Sequence, residues 1–318
     1  MNRGTMHRMM LFVIALALAV AGPSFSRAET LKPEDIVAKY LGSIGSAQAR
    51  SASKSRLNQG PATFKILVGG AGTLDGKGVL ISEGHKLQFM MKFLSNDYRG
   101  EQVIFDGNKV KVAASTSAQS RSALGEFVFS QDAIVREGLL GGELSTAFPL
   151  LDLEDRKPKL SYEGEKTIDG QKVLDLRYKP KKSTDLDIHL YFDAETYRHV
   201  MTTYSLRLRP GMGNVDPQLS NAGAMPGDVA SGTLMSPTGG LVTDTNETVS
   251  ARQQETRYRL EERFGDFKTV DGLTLPTSYK LHFSQELGNG KTTVNEWDIS
   301  AGQVSNNINP DPRNFEVR

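Results

Sequence analysis

Period-two apolar runs, separated by short turn signals, constrain this chain more than any other feature. Phe64-Ile66-Val68, Leu87-Phe89-Met91-Phe93, Val103-Phe105, Val173-Leu174-Leu176, Leu190-Phe192 and Tyr279-Leu281-Phe283 mostly follow this period. Residues two apart on a strand share a face, so each run reads as a strand with one apolar side. Asp75-Gly76, Asp106-Gly107, Asp169-Gly170 and Asp271-Gly272 supply four pairs that suit the positive φ of tight hairpin turns. Strands joined by consecutive hairpins pair antiparallel, which predicts a meander with one wet and one apolar face. Gly288-Asn289-Gly290-Lys291-Thr292 resembles the end of a phosphate-binding loop, but Gln285 stands where that motif needs Gly and the flanks are strands. It reads as one more hairpin turn, and so does Gly70-Ala71-Gly72.

Ahead of the strands, Arg3, His7 and Arg8 precede an apolar run from Met9 to Ala21, followed by Gly22, Pro23 and Ser26-Arg27-Ala28. This is the pattern of a secretory signal peptide, and its apolar run is shorter than the roughly twenty residues that span a bilayer. We expect residues 1–28 to be removed after Ala28, leaving one domain over 29–318. The absence of cysteine excludes a disulfide framework, a thiolate metal site, a thiol nucleophile and a lipid-modified N-terminal Cys. The fold must therefore rest on its own core. A net charge of +1 with interspersed signs provides no basic stripe, and no nucleic-acid partner is expected.

Three segments depart from the strand pattern. Ile36, Val37, Tyr40, Leu41 and Ile44 fall on one helical face after Pro33-Glu34-Asp35, predicting a short amphipathic helix ended near Gly45, with a second helical stretch from Ala47 to about Ser55. Ser122 to Leu153 reads as short helices interrupted at Gly138 and Gly141-Gly142, either core-forming or a mobile cover over the sheet. Residues 210–250, rich in Gly, Ser, Thr, Asn and Pro, read as a disordered loop inserted between strands.

Enzymatic motifs are absent. His85, His189, His199 and His282 show no close metal-ligand spacing, and no G-x-S-x-G elbow occurs. His189 and Asp187 share a strand face, which reads as solvated. No catalytic residue, metal or cofactor is expected.

Several local strings carry a family resemblance. Tyr98-Arg99-Gly100-Glu101 leads into Phe105-Asp106-Gly107, and Glu137 to Gly142, Tyr162 to Glu165 before Ile168-Asp169-Gly170, and Tyr191 to Thr196 come after it. Glu262-Arg263-Phe264, Val270 to Pro276 and the closing Asn309 to Phe315 complete the set. Together they resemble the LolA/LolB-like superfamily of periplasmic lipoprotein carriers, in its outer-membrane lipoprotein-sorting-like branch. The resemblance implies an α+β, mainly β fold: a curved, incomplete antiparallel β-barrel with an N-terminal helix and a helical lid over an apolar cavity. It implies a periplasmic, non-enzymatic carrier of lipid or lipoprotein acyl chains, with a protein-interaction module as the alternative and envelope membrane proteins as further partners. On that reading Leu87, Phe89, Met91 and Phe93 line the cavity or form ordinary core, and Leu124, Phe127, Leu139 and Leu140 belong to the lid.

Overall fold

The computed structural model describes residues 31–114, 120–209 and 255–317. The expected signal peptide, its cleavage site and the 210–250 stretch lie outside the described residues. From Lys32 onward the chain belongs to one compact unit.

Helix α1 (Pro33–Ile44) opens with Pro and with Glu34 and Asp35 in its first turn, where a missing N–H costs nothing and acids face the positive end of the helix dipole. It buries Ile36, Val37, Tyr40 and Ile44, and Gly45 N–H closes its end on Leu41 O. Helix α2 (Ala47–Ala52) starts on Ser46, whose hydroxyl accepts from Ala49 N, and buries no residue. This small-residue sequence has no apolar stripe to bury.

Strands β1 (Ser55–Val68), β2 (Gly72–Glu83), β3 (Lys86–Phe93), β4 (Glu101–Phe105) and β5 (Val110–Ala114) form one meander. Strands β6 (Lys159–Ile168), β7 (Gln171–Lys179), β8 (Asp187–Asp193) and β9 (His199–Leu208) form a second. After β10 (Thr256–Gly265) comes a separate small hairpin, β11 (Lys268–Val270) with β12 (Leu273–Leu275), and then β13 (Ser278–Glu286), β14 (Thr292–Ser300) and β15 (Gln303–Asn306). Among the described residues the main sheet runs β5-β4-β3-β2-β1-β14-β13-β10-β9-β8-β7-β6, with β15 beside the start of β1. Every pairing along it is antiparallel. β5 and β6 are its two edges, so the sheet is not closed into a barrel.

The sheet is nonetheless strongly curled. β3 and β13 lie four strand spacings apart in this order, about 19 Å on a flat sheet. Yet the rings of Phe89 on β3 and Tyr279 on β13 meet edge to face at 6.0 Å. The expected mainly β architecture with a curved, incomplete barrel is the one observed.

Three of the four Asp-Gly pairs form turns. Asp169-Gly170 and Asp271-Gly272 have positive φ at both positions, and Asp106 Oδ1 accepts from the backbone of Asn108 and Lys109 to close the β4–β5 turn. Asp75-Gly76 does not: both residues lie inside β2, opposite Thr63 and Ala62 of β1. Gly76 serves close packing instead, because a Cβ there would fall 2.2 Å from Lys92 O and 2.6 Å from the Phe93 ring. The β1–β2 reversal occurs at Gly69, where φ is +89°. Asn289-Gly290 closes the β13–β14 hairpin as expected, with Leu287 N donating to Lys291 O.

Candidate functional site

β5 and β6 are opposite edges of the sheet, and the described part of the chain that crosses between them packs against its concave face. The described part of that crossing consists of α3 (Ala123–Ser130), α4 (Ala133–Arg136), 3-10 turns at Gly142–Leu144 and Pro149–Leu151, and α5 (Leu153–Arg156). The expected breaks at Gly138 and Gly141-Gly142 are present, all three with positive φ. Leu124, Phe127, Leu139 and Leu140 are all buried, as are Leu87, Phe89, Met91 and Phe93 on the facing side of β3.

The structure distributes these residues over different contacts. Phe89, Leu124 and Leu140 share one small void with Glu101, Val103, Gly125, Val128, Leu260 and Leu281. Phe127 stacks on Tyr258 at 5.7 Å and packs against Phe283 at 5.3 Å. Phe93 joins an aromatic cluster with Phe64, Tyr98 and Trp297, in which Trp297 Nε1 donates to Tyr98 OH at 2.8 Å. Leu87, Met91 and Leu139 are core residues outside the void lining. The void measures about 10 Å³, room for about one water. The concavity expected to hold an acyl chain is thus filled by the side chains of the crossing segment itself.

That segment is attached unevenly. Its second half is pinned by buried polar groups from several strands. Gly141 N donates to Glu262 Oε1 at 2.8 Å, and Glu262 also accepts from Tyr204 OH at 2.6 Å and from Tyr279 OH. Burial pushes the Glu262 carboxyl above the usual range, while these three donors pull it back. Glu143 Oε2 meets His199 Nδ1 at 2.8 Å, and His199 Nε2 meets Thr202 Oγ1 at 2.8 Å. The His199 ring is packed among Phe148, Phe192, Phe264 and Tyr40. Arg56 donates to Glu143 O, Asn58 Nδ2 to Leu144 O at 2.7 Å, and Thr146 N to Ser82 Oγ at 2.9 Å. Gly141 itself is held at φ +81°, where a Cβ would lie 2.4 Å from Leu80 Cδ1, so the backbone reaches Glu262 only with glycine at this position.

The first half is tied down outside α3, where Arg136 donates to Asn108 O and Tyr178 OH donates to Glu137 Oε2 at 2.8 Å. Among the described residues no hydrogen bond joins Ala123–Ser130 to the sheet. Arg121, just ahead of the helix, donates to Val112 O at 2.7 Å and pairs with Glu126 at 3.1 Å. α3 therefore rests on the sheet through apolar contact alone, over the void.

Glu101 is the one charged group in the void wall. It is only 2% exposed. Burial pushes its carboxyl up to about 7, and the Ser122 and Tyr98 hydroxyls beside it pull it part of the way back.

A larger opening, about 360 Å³, lies elsewhere, between α2, the β2–β3 turn and the end of the crossing segment. Its wall is mixed, with Arg50, Lys54, Arg56, His85, Glu143 and Asp152 facing it beside Ile44, Leu151, Leu273 and Leu275. On β8, His189 is less exposed than a fully solvated face implies, while Asp187 beside it is 47% exposed. His189 is 17% exposed and bridges Asp175 at 2.7 Å and Asp187 at 3.4 Å, and Asp175 also meets Lys166 at 2.5 Å.

The residues missed by sequence reading are Glu101, Glu143, His199 and Glu262. Two of them were signalled: Glu101 keeps the phase of Val103 and Phe105, and Glu262 that of Leu260 and Phe264, so each places a carboxyl on an apolar face.

No family model matches the chain, and no curated protein matches it. The fold is similar to that of a LolA superfamily protein from Nitrosomonas europaea, at 12% identity over 90% of this chain and 98% of that one, with a TM-score of 0.41. It is also similar to a structure described as a putative outer membrane lipoprotein-sorting protein domain from Vibrio parahaemolyticus, at 12% identity, 88% and 97% coverage and a TM-score of 0.38. A chain of the Pseudomonas aeruginosa MucA/MucB complex is similar at 10% identity, 86% and 99% coverage and a TM-score of 0.21. At these values the likeness carries no functional argument. Among the described residues no helix is long and apolar enough to cross a membrane.

Proposed function

We propose that the protein is a non-enzymatic carrier or binder of lipid or lipoprotein acyl chains, which enter between α3 and the sheet when α3 lifts. The observation that carries this reading is the uneven attachment of the crossing segment: residues 141–146 are pinned by buried hydrogen bonds, whereas α3 is seated by apolar contact alone over a void lined by Phe89, Val103, Leu124, Val128, Leu260 and Leu281. Apolar contact is non-directional, so a chain of methylenes can replace α3 against the same wall at little net cost. Each buried methylene contributes about 0.8 kcal/mol. The signal-peptide pattern of the first 28 residues supports a periplasmic site of action, where envelope membrane proteins would serve as donor or acceptor.

Titration of the mature protein with a fluorescent fatty acid tests the reading. Saturable binding, weakened by Phe89→Ser or Val128→Ser in variants that still fold, supports it. Absence of binding by folded wild-type protein contradicts it.

The closed interior favours one second reading, a protein-interaction module on the same fold. Native mass spectrometry of gently purified protein separates the two, since acyl adducts belong to the first and a stable protein partner with an empty interior to the second.

A further inference from the structure

The hollow between α2, the β2–β3 turn and the end of the crossing segment, about 360 Å³, shares no wall residue with the void under α3. Its size is that of a small-molecule site. Arg50, Lys54 and Arg56 bring three permanent cations to it, and Glu143 and Asp152 bring two carboxylates. Both carboxylates are engaged by imidazoles, Glu143 Oε2 by His199 Nδ1 at 2.8 Å and Asp152 Oδ2 by His85 Nε2 at 3.4 Å. Among the described residues no carboxylate forms an ion pair with Arg50, Lys54 or Arg56.

Arg56 is 3% exposed, and the acceptors it meets, Glu143 O, Asn306 Oδ1 and Ser53 Oγ, are all uncharged. Burial lowers its pKa to about 10, against the pull of Tyr40 and Glu143. A buried charge without a paired counter-ion is costly, and an anion in the hollow lowers that cost. Arg50 supplies a grip for one. Both N–H groups of its Nη1 are spent on Leu41 O and Gly45 O, which fixes the guanidinium at the end of α1. Its Nε–Nη2 edge carries no hydrogen bond among the described residues, and the two parallel N–H groups of such an edge fit a carboxylate or phosphate in two-pronged fashion. Lys54 adds an exposed point charge to the same wall. Ile44, Leu151, Leu273 and Leu275 face the same space with hydrocarbon.

We propose that this hollow binds a small organic anion, its carboxylate or phosphate held by Arg50 and Lys54 in front of Arg56, and its hydrocarbon part laid against Ile44, Leu151, Leu273 and Leu275. The site is independent of the acyl-binding reading, because it shares no residue with the void under α3.

The test is isothermal titration calorimetry of the mature protein with hexyl phosphate, hexanoate, hexylamine and inorganic phosphate. Wild-type protein should bind hexyl phosphate and hexanoate with one site each, at least about tenfold more tightly than hexylamine or inorganic phosphate. Arg50→Gln should weaken hexyl phosphate by about tenfold, the loss of charge-assisted hydrogen bonds. Lys54→Gln, an exposed change that guards against misfolding of the Arg50 variant, should weaken it in the same direction. Hexylamine binding as tightly as hexyl phosphate overturns the cationic site, and inorganic phosphate binding as tightly as hexyl phosphate overturns the apolar half of the assignment. An affinity for hexyl phosphate unchanged in both folded variants, or no binding of either organic anion by wild-type protein, overturns the proposal while leaving acyl binding under α3 untouched.

Discussion

Two buried carboxyls sit in opposite circumstances at the level of single residues. Glu262 accepts three hydrogen bonds, whereas burial outweighs the Ser122 and Tyr98 hydroxyls at Glu101, and their substitutions should differ in sign. Glu262→Ala would leave Gly141 N, Tyr204 OH and Tyr279 OH without their acceptor inside the core, at a cost of about 3–5 kcal/mol, readable as a lower urea midpoint. Glu101 is held at about 7 in the fold against an ordinary value of 4.5. Its protonated form is therefore the one the native state prefers. The associated stability is complete below about pH 4.5, declines as pH rises toward 7 and is lost above it. Glu101→Gln should accordingly melt like wild type near pH 4 and above wild type near pH 8, by on the order of 3 kcal/mol at most. A variant less stable than wild type at both pH values would show that the Ser122 and Tyr98 hydroxyls outweigh the burial. The phase of both residues along their strands was legible in the sequence. The pairing of Glu262 was not, because it depends on Gly141 and Tyr204, 121 and 58 positions away.

Among the elements, the strands and hairpins followed from period-two alternation and Asp-Gly turns, with one instructive failure. Asp75-Gly76 has a turn signature but lies within β2, because Gly76 is required by the close approach of Lys92 and Phe93 on β3. A turn dipeptide and a packing glycine look alike until the neighbouring strand is in place. The crossing segment was legible as broken helices, and the structure places its described part against the concave face between the edges β5 and β6. What sequence left open was whether it is core or cover, and the hydrogen bonds divide it. Leu124→Ala on α3 should loosen that helix locally, raising amide exchange over residues 123–130 with little change in the urea midpoint. Leu139→Ala, beside the pinned stretch, should destabilise the whole molecule by about 2–5 kcal/mol. Equal global losses at both positions would make α3 an ordinary part of the core.

Across the whole molecule, the sheet joins strands from early and late in the chain, since β1 pairs with β14 and β15. The joint contains Trp297, the single tryptophan, packed at 5.3 Å against Phe64 of β1. Residues 55–114 and 256–306 thus share one sheet and one interior, so tryptophan fluorescence and far-ultraviolet circular dichroism should report the same unfolding midpoint. Separate midpoints would mean that the N-terminal and C-terminal strands unfold independently. Within this frame α3 is seated on the concave face without a described hydrogen bond to the sheet, and acyl binding depends on its lifting. Hydrogen–deuterium exchange of the mature protein, with and without a saturating fluorescent fatty acid, reads that movement. Residues 123–130 should exchange faster when the ligand is bound, while 139–147 and β13 remain protected. Binding of the ligand with exchange at α3 unchanged or slowed would contradict a lifting helix.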